Sequence, residues 1–292
     1  MLVRKLKIIL EMIKFEHTVF ALPFAFLGAI LGSFIIRGEF PSLSEWIWIT
    51  LAMVGARSAA MSLNRVIDAQ IDKHNPRTAK RAIPAGLVSK MEVWLFIVIS
   101  FVVLFFAAYQ LNMLAVYLLP IAVFFLVIYS YTKRFTWTCH LILGITIGIA
   151  PLGGWVGATA TLPAEAFLLF SAVAFWIAGF DVIYATQDAS YDKEHGLFSI
   201  PSRFGIKRAL VIARGFHLIS FLSFLSLFFV TPLGWLYFVG VIIAGGILVY
   251  EHSLVSEHDL SKVQIAFFPM NGILSVVLFL FTIGDVLIWT NL

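Results

Sequence analysis

Charge is scarce in this chain. Of 292 residues only 12% are Asp, Glu, Lys or Arg, while 61% are hydrophobic. With a mean hydropathy of +0.98, no soluble fold hides that much apolar surface, so the composition is that of a polytopic membrane protein. Cysteine is almost absent, and the single Cys139 excludes an intrachain disulfide framework. His17, His140, His195, His217, His252 and His258 fall into no Cys/His metal pattern. There is no P-loop, no GxSxG and no HExxH, which removes the motif signals of P-loop nucleotide hydrolysis, α/β-hydrolase chemistry and zinc proteolysis. We see no soluble domain, low-complexity segment or long linker. A net charge of +4 would point to nucleic acid in a soluble protein; here the placement of Lys and Arg explains it, and no nucleic-acid partner is expected.

Aromatic residues are plentiful, with 29 Phe and eight Trp suited to lipid-facing and interfacial positions. Hydrophobic runs bounded by Pro, Gly or charge predict an all-α protein of about nine transmembrane helices, near 15–36, 45–67, 91–109, 112–131, 138–159, 164–185, 208–230, 232–250 and 265–290. Loop charge sets the orientation. Arg4, Lys5, Lys7 and Lys14 precede the first span; Lys73, Arg77, Lys80, Arg81 and Lys90 follow the second. Lys133 and Arg134 follow the fourth, and Lys193, Arg203, Lys207 and Arg208 the sixth, whereas the opposite loops contribute only Arg37. The N-terminus is thereby placed in the cytoplasm, and both acidic motifs described below share the cytoplasmic face. A prokaryotic inner membrane is the expected location. Residues 1–14 put Leu2, Leu6, Ile9 and Ile13 on one stripe, with Arg4, Lys7 and Glu11 off it, and read as an interfacial helix rather than a signal peptide. The whole of 1–292 reads as one membrane domain.

Carboxylates at a membrane boundary are costly unless they bind something. Two clusters of them occur. Asn64, Asp68 and Asp72 lie at i, i+4 and i+8; Asp181, Tyr184, Asp188 and Asp192 lie at i, i+3, i+7 and i+11. Either set would line one face of a helix. Mg²⁺ takes oxygen ligands, keeps several waters and is held by one or two carboxylates plus substrate phosphate, so paired clusters point to Mg²⁺ facing one polyanion. The bland alternative is solvated charge at two helix ends, which is most natural for Asp192, followed by Lys193 and Glu194. Tyr184 is either a hydrogen-bonding partner or a belt aromatic. Arg77, Arg81 and Lys133 stand ready for a diphosphate, or serve topology alone. Arg57 falls two turns before Asn64 on the same stripe; it would face a cavity and suit a carboxylate, or pair with Glu16. Asp285 is expected at the interface, and the stretch from Gly196 to Gly205 as a structured loop.

At these residues the chain resembles the UbiA superfamily of intramembrane prenyltransferases. The resemblance is carried by Asn64-x3-Asp68-x3-Asp72 with Asn75-Pro76-Arg77-Thr78-x2-Arg81, then Tyr129-x3-Lys133-Arg134, then Asp181-x2-Tyr184-Ala185-x2-Asp188-x3-Asp192. What it implies is a nine-helix fold around a central cavity, with Mg²⁺ as cofactor and a polyprenyl diphosphate as donor. By the same resemblance Asn64, Asp68, Asp72, Asp181 and Asp188 would hold the metal, with Asp68 and Asp188 central to catalysis. Arg77, Arg81 and Lys133 would contact the diphosphate, Arg57 the acceptor, and Tyr129, Tyr184 and Asp192 are possible members. The segment Lys14 to Pro23 is similar to the 4-hydroxybenzoate polyprenyltransferase branch, so the expected function is prenylation of a small aromatic acid in ubiquinone or menaquinone biosynthesis. A futalosine derivative or naphthoate is the alternative acceptor. An ion or metabolite transporter is the alternative of another class.

Overall fold

The structure is a computed structural model, and it describes residues 2–13 and 18–290. Among these it is entirely helical. Helix α1 (Leu2–Met12) precedes α2 (Thr18–Arg37), α3 (Leu43–Ile67), the short α4 (Ala69–His74), α5 (Lys90–Leu111) and α6 (Met113–Thr132). Then come α7 (Cys139–Thr159), α8 (Ala164–Ala185), the short α9 (Ala189–Glu194) and α10 (Ile200–Phe204), and α11 (Ile206–Val230). The chain closes with α12 (Trp235–Ser253), the single turn α13 (Val263–Ile265), a π-turn at Ala266–Met270 containing Pro269, and α14 (Asn271–Thr290). Eight of the described helical stretches are long and apolar enough to cross a membrane, and α2 supplies a shorter apolar helix over Leu22–Arg37. Each matches an expected span. The segment Lys14–His17, including Glu16 as a partner for Arg57, lies outside the described residues.

Helix boundaries follow local chemistry. Ser42 with Glu45 closes a capping box on α3, and Ser89 with Glu92 does so on α5, satisfying first-turn N–H groups that lipid could not. Asn112 accepts from Ala115 N–H and donates through Nδ2 to the carbonyls of Val156 and Gly157, so one side chain starts α6 and ends α7. Asp285, expected near the membrane interface, meets the start of α12 at the end of the loop before it. It is 3% exposed and accepts from the backbone N–H groups of Gly234, Leu236 and Tyr237 at 2.6–3.2 Å, capping α12 from α14. Three backbone donors take the place of water around it.

Packing relies on close approach of small residues. A Cβ at Gly28 would lie 1.9 Å from the Pro151 carbonyl oxygen, and one at Gly154 would lie 2.0 Å from that of Ala25. Backbones of α2 and α7 therefore touch, the mode of association available where lipid removes the hydrophobic drive between helices. Helix α1 follows its amphipathic stripe in part: Ile9 and Ile13, with Met12, bury against Leu63, Val66, Val93 and Ile97, Lys5 pairs with Glu92, and Leu6 is 46% exposed.

Candidate active site

Helical spacing brings each acidic motif together, but neither runs along an unbroken helix. Helix α3 ends at Ile67, and Asp68 occupies the junction with φ −85° and ψ 0° before α4 resumes. Helix α8 likewise ends at Ala185 and passes through a 3₁₀ turn, Thr186–Asp188, into α9. A break frees carbonyls and redirects side chains, which is where membrane proteins place ion sites.

In the first motif Asn64 Nδ2 donates to Asp68 Oδ2 at 3.1 Å. Lys133 Nζ lies 2.8 Å from the same oxygen, and Arg134 Nη2 lies 2.8 Å from Oδ1. Arg134 also donates to the carbonyls of Ile67 and Ser130, so it closes the end of α3 while neutralising Asp68. Arg81 Nη1 reaches both oxygens of Asp72 at 2.7 Å. The Asp68 and Asp72 side chains are 3–4% exposed.

The second motif is more open. Asp188 takes a bidentate bond from Arg77, Nε at 3.0 Å and Nη2 at 2.5 Å. Arg77 Nη1 donates to Tyr184 Oη at 3.3 Å. Burial opposes the Arg77 charge, but the bond to Asp188 together with the electrostatic attraction of Asp188, Tyr184 and Asp72 outweighs it, and the guanidinium pKa is raised. Asp181 meets no Lys or Arg side chain among the described residues. His140 Nδ1 lies 2.6 Å from its Oδ2. Asp192 is half-buried, and its carbonyl accepts from Leu197 N–H. The two motifs meet across the molecule through Arg77–Asp188 and through Tyr191 Oη, which donates to the Ile71 carbonyl at 3.4 Å.

One turn from Asn64 an apolar cavity of about 240 Å³ opens between α3, α5, α6 and α7. Ala56, Ala60, Met61, Leu104, Leu119 and Ile147 are among its walls. Arg57 and Tyr129 bring polar groups into that wall. Tyr129 Oη donates to the Ala60 carbonyl at 3.0 Å, whereas Arg57 Nε is buried without a hydrogen-bond partner among the described residues.

Asn64, Asp68, Asp72, Arg77, Arg81, Lys133, Asp181, Tyr184, Asp188 and Asp192 lie on or after the ends of α3, α6 and α8, and Arg57 and Tyr129 line the apolar cavity. Two residues were given no role by the sequence. Arg134 is hidden among loop charges, although its place in the Tyr129-x3-Lys133-Arg134 string was a signal. His140 gave none, being a lone histidine in an apolar run.

The donor set suits Mg²⁺, being carboxylate and amide oxygen. Among the described residues no three acidic, His or Cys side chains converge on one point. An ion held here therefore draws its remaining ligands from phosphate and water, the usual habit of Mg²⁺.

Clustered acids and cations at helix ends, beside an apolar cavity in a helical bundle, describe a membrane protein with a polar site. Comparison with known proteins narrows this. Residues 21–281 match the UbiA prenyltransferase family, and the chain belongs to it. It is a prenyltransferase, a multi-pass membrane enzyme. The chain is 31% identical over 220 residues to a 4-hydroxybenzoate octaprenyltransferase of Vibrio cholerae, covering 75% of this chain and 77% of that one. It is similar to the apo structure of a UbiA homologue from Aeropyrum pernix K1, at 33% identity and TM-score 0.84, covering 92% and 98%. An Archaeoglobus fulgidus homologue bound to GPP and Mg²⁺ shares the fold at 18% identity and TM-score 0.72, covering 96% and 99%.

Proposed function

We propose that the enzyme transfers a polyprenyl group from a polyprenyl diphosphate to a small aromatic acid, with 4-hydroxybenzoate the acceptor best supported, in quinone biosynthesis. The observation that carries this reading is Arg57. It lines an apolar cavity with its Nε buried and without a hydrogen-bond partner among the described residues, and an arginine inside a membrane is expensive without an anion. A benzoate-type carboxylate answers its planar fork.

Mg²⁺ bound with the diphosphate would stabilise the negative charge that develops as the allylic C–O bond breaks. Asn64, Asp68, Asp72, Asp181 and Asp188 are the oxygen donors for it. Arg77, Arg81 and Lys133 offer N–H groups to phosphate oxygens once they release their present carboxylate partners. The prenyl chain lies in the apolar cavity, whose walls exclude water and so protect an allylic cation from hydrolysis. The acceptor ring attacks that cation ortho to its hydroxyl, and the ring carbon loses its proton. We read the 292 residues as one such domain in a prokaryotic inner membrane, with the N-terminus and both acidic motifs at the cytoplasmic face, since the basic loops cluster there.

The test is a panel of acceptors (4-hydroxybenzoate, a futalosine derivative, naphthoate) offered to purified protein with one prenyl diphosphate and Mg²⁺. Arg57→Gln should lower turnover of 4-hydroxybenzoate about 10–100-fold, the worth of a charged hydrogen bond, with prenyl diphosphate binding retained. Normal turnover of the aromatic acid by that variant would overturn the assignment.

A further inference from the structure

We propose that His140 is a positioning residue for the second acidic motif, holding Asp181 in the orientation in which it ligates a cation. This rests on the Mg²⁺–diphosphate reading above.

His140 is the second residue of α7 and is 3% exposed. Its two ring nitrogens have different work. The backbone N–H of Ile200, at the start of α10, donates to Nε2 at 3.3 Å. Accepting there requires a lone pair on Nε2, so the proton sits on Nδ1 and is donated to Asp181 Oδ2 at 2.6 Å. That distinguishes Asp181 from its neighbours: Asp68 faces Lys133 and Arg134, Asp72 faces Arg81, and Asp188 faces Arg77. An imidazole N–H held at 2.6 Å fixes one oxygen of the carboxylate and leaves the other for a ligand. Asp181 Oδ1 makes no hydrogen bond among the described residues, and its side chain is 23% exposed, so that oxygen remains for a ligand.

The far side of the ring adds a second task. Ile200 N–H is one of the unpaired donors that open any helix. The residues just before it are bound to the site as well: Leu197 N–H donates to the Asp192 carbonyl and Phe198 N–H to the Lys133 carbonyl. His140 therefore ties α7, α8 and α10 together at one oxygen of one acid. Ligand carboxylates held in this way by an outer partner lose about 10–100-fold in metal affinity when the partner is removed.

The test measures binding rather than turnover. Full-length purified protein is titrated calorimetrically with geranyl thiodiphosphate, a donor that does not ionise, over a range of Mg²⁺. His140→Ala should raise the Mg²⁺ needed for half-maximal binding about 10–100-fold. His140→Gln should recover part of the loss, because its amide both donates and accepts, and it carries the titration if the alanine variant does not fold. Asp181→Asn should shift the curve at least as far, and the double variant no further than Asp181→Asn alone. A shift under about threefold in both His140 variants beside a large shift in Asp181→Asn would overturn the inference alone, as would additive effects in the double variant. An unchanged curve in Asp181→Asn would overturn the Mg²⁺–diphosphate reading, and this inference with it.

Discussion

The two acidic motifs share a spacing and differ in everything around it. At the first, two carboxylates buried to within a few per cent face three cations, Arg81, Lys133 and Arg134, with Asn64 filling a remaining site. At the second, Asp181 and Asp188 are 20–23% exposed and face one guanidinium, Arg77, and one imidazole, His140. The first motif therefore has positive charge to spare and the second negative charge. Equal Asp spacing in sequence does not mean equal chemistry, because the partners come from other helices. In the proposed reaction the cation excess suits the phosphate oxygens, and the acid excess suits the metal that accompanies them.

The comparison breaks most visibly at its central acids. Asp68→Ala and Asp188→Ala should each lower the rate about 10²–10³-fold, the scale of one electrostatic contribution removed from a preorganised site. Their stabilities should diverge. Removing Asp68 strands Lys133 and Arg134 beside a buried position, a cost of about 1–3 kcal/mol after allowing for their partial exposure. Removing Asp188 releases an Arg77 that is 38% exposed, worth under about 1 kcal/mol. Turnover and thermal melting of both variants in the same detergent would check this. Equal melting temperatures would show that the cation excess at the first motif is not structural.

Much of this architecture was legible. Runs of about 20 apolar residues predicted every long described helix, because a single segment of that length satisfies its backbone groups in lipid only as a helix. The acids and arginines were legible because intramembrane charge is rare enough to mark a site. What was hidden is what depends on a distant partner. The breaks at Asp68 and at Thr186–Asp188 leave the i, i+4 pattern almost intact, so periodicity read through them. Arg134 looked like a topogenic charge until Asp68, 66 residues away, was found against it. His140 meets Asp181 over 41 residues, and Asp285 meets Gly234 over 51. Contacts at that separation leave no trace in local spacing.

The cations test the same comparison less severely. Arg81→Ala and Lys133→Ala should raise KM for the prenyl diphosphate about tenfold, with KM for the aromatic acid nearly unchanged. Both residues belong to the motif with positive charge to spare, so either loss leaves a cation at Asp68 or Asp72 only partly replaced. Steady-state kinetics with each substrate varied in turn would decide. A rise confined to the aromatic partner would move them to the other half of the site.

The smallest effect on rate should come from an acid buried as deeply as Asp68 and serving no ligand. Asp285 is the control for the comparison: like Asp68 it is almost fully enclosed, yet its partners are three backbone N–H groups at the start of α12 rather than side-chain cations. It lies 21 residues along the chain from Gln264, which contacts Gln187 beside the second motif; at 1.5 Å per residue that is roughly 30 Å from the chemistry. Asp285→Ala should therefore leave kcat and both KM values within about twofold. It should still cost about 1–2 kcal/mol, since a helix cap is lost and buried donors go unpaired. The measurement is thermal melting alongside kinetics. A collapse of activity with melting unchanged would mean that the far end of the bundle communicates with the site, and that burial alone does not separate structural acids from functional ones in this fold.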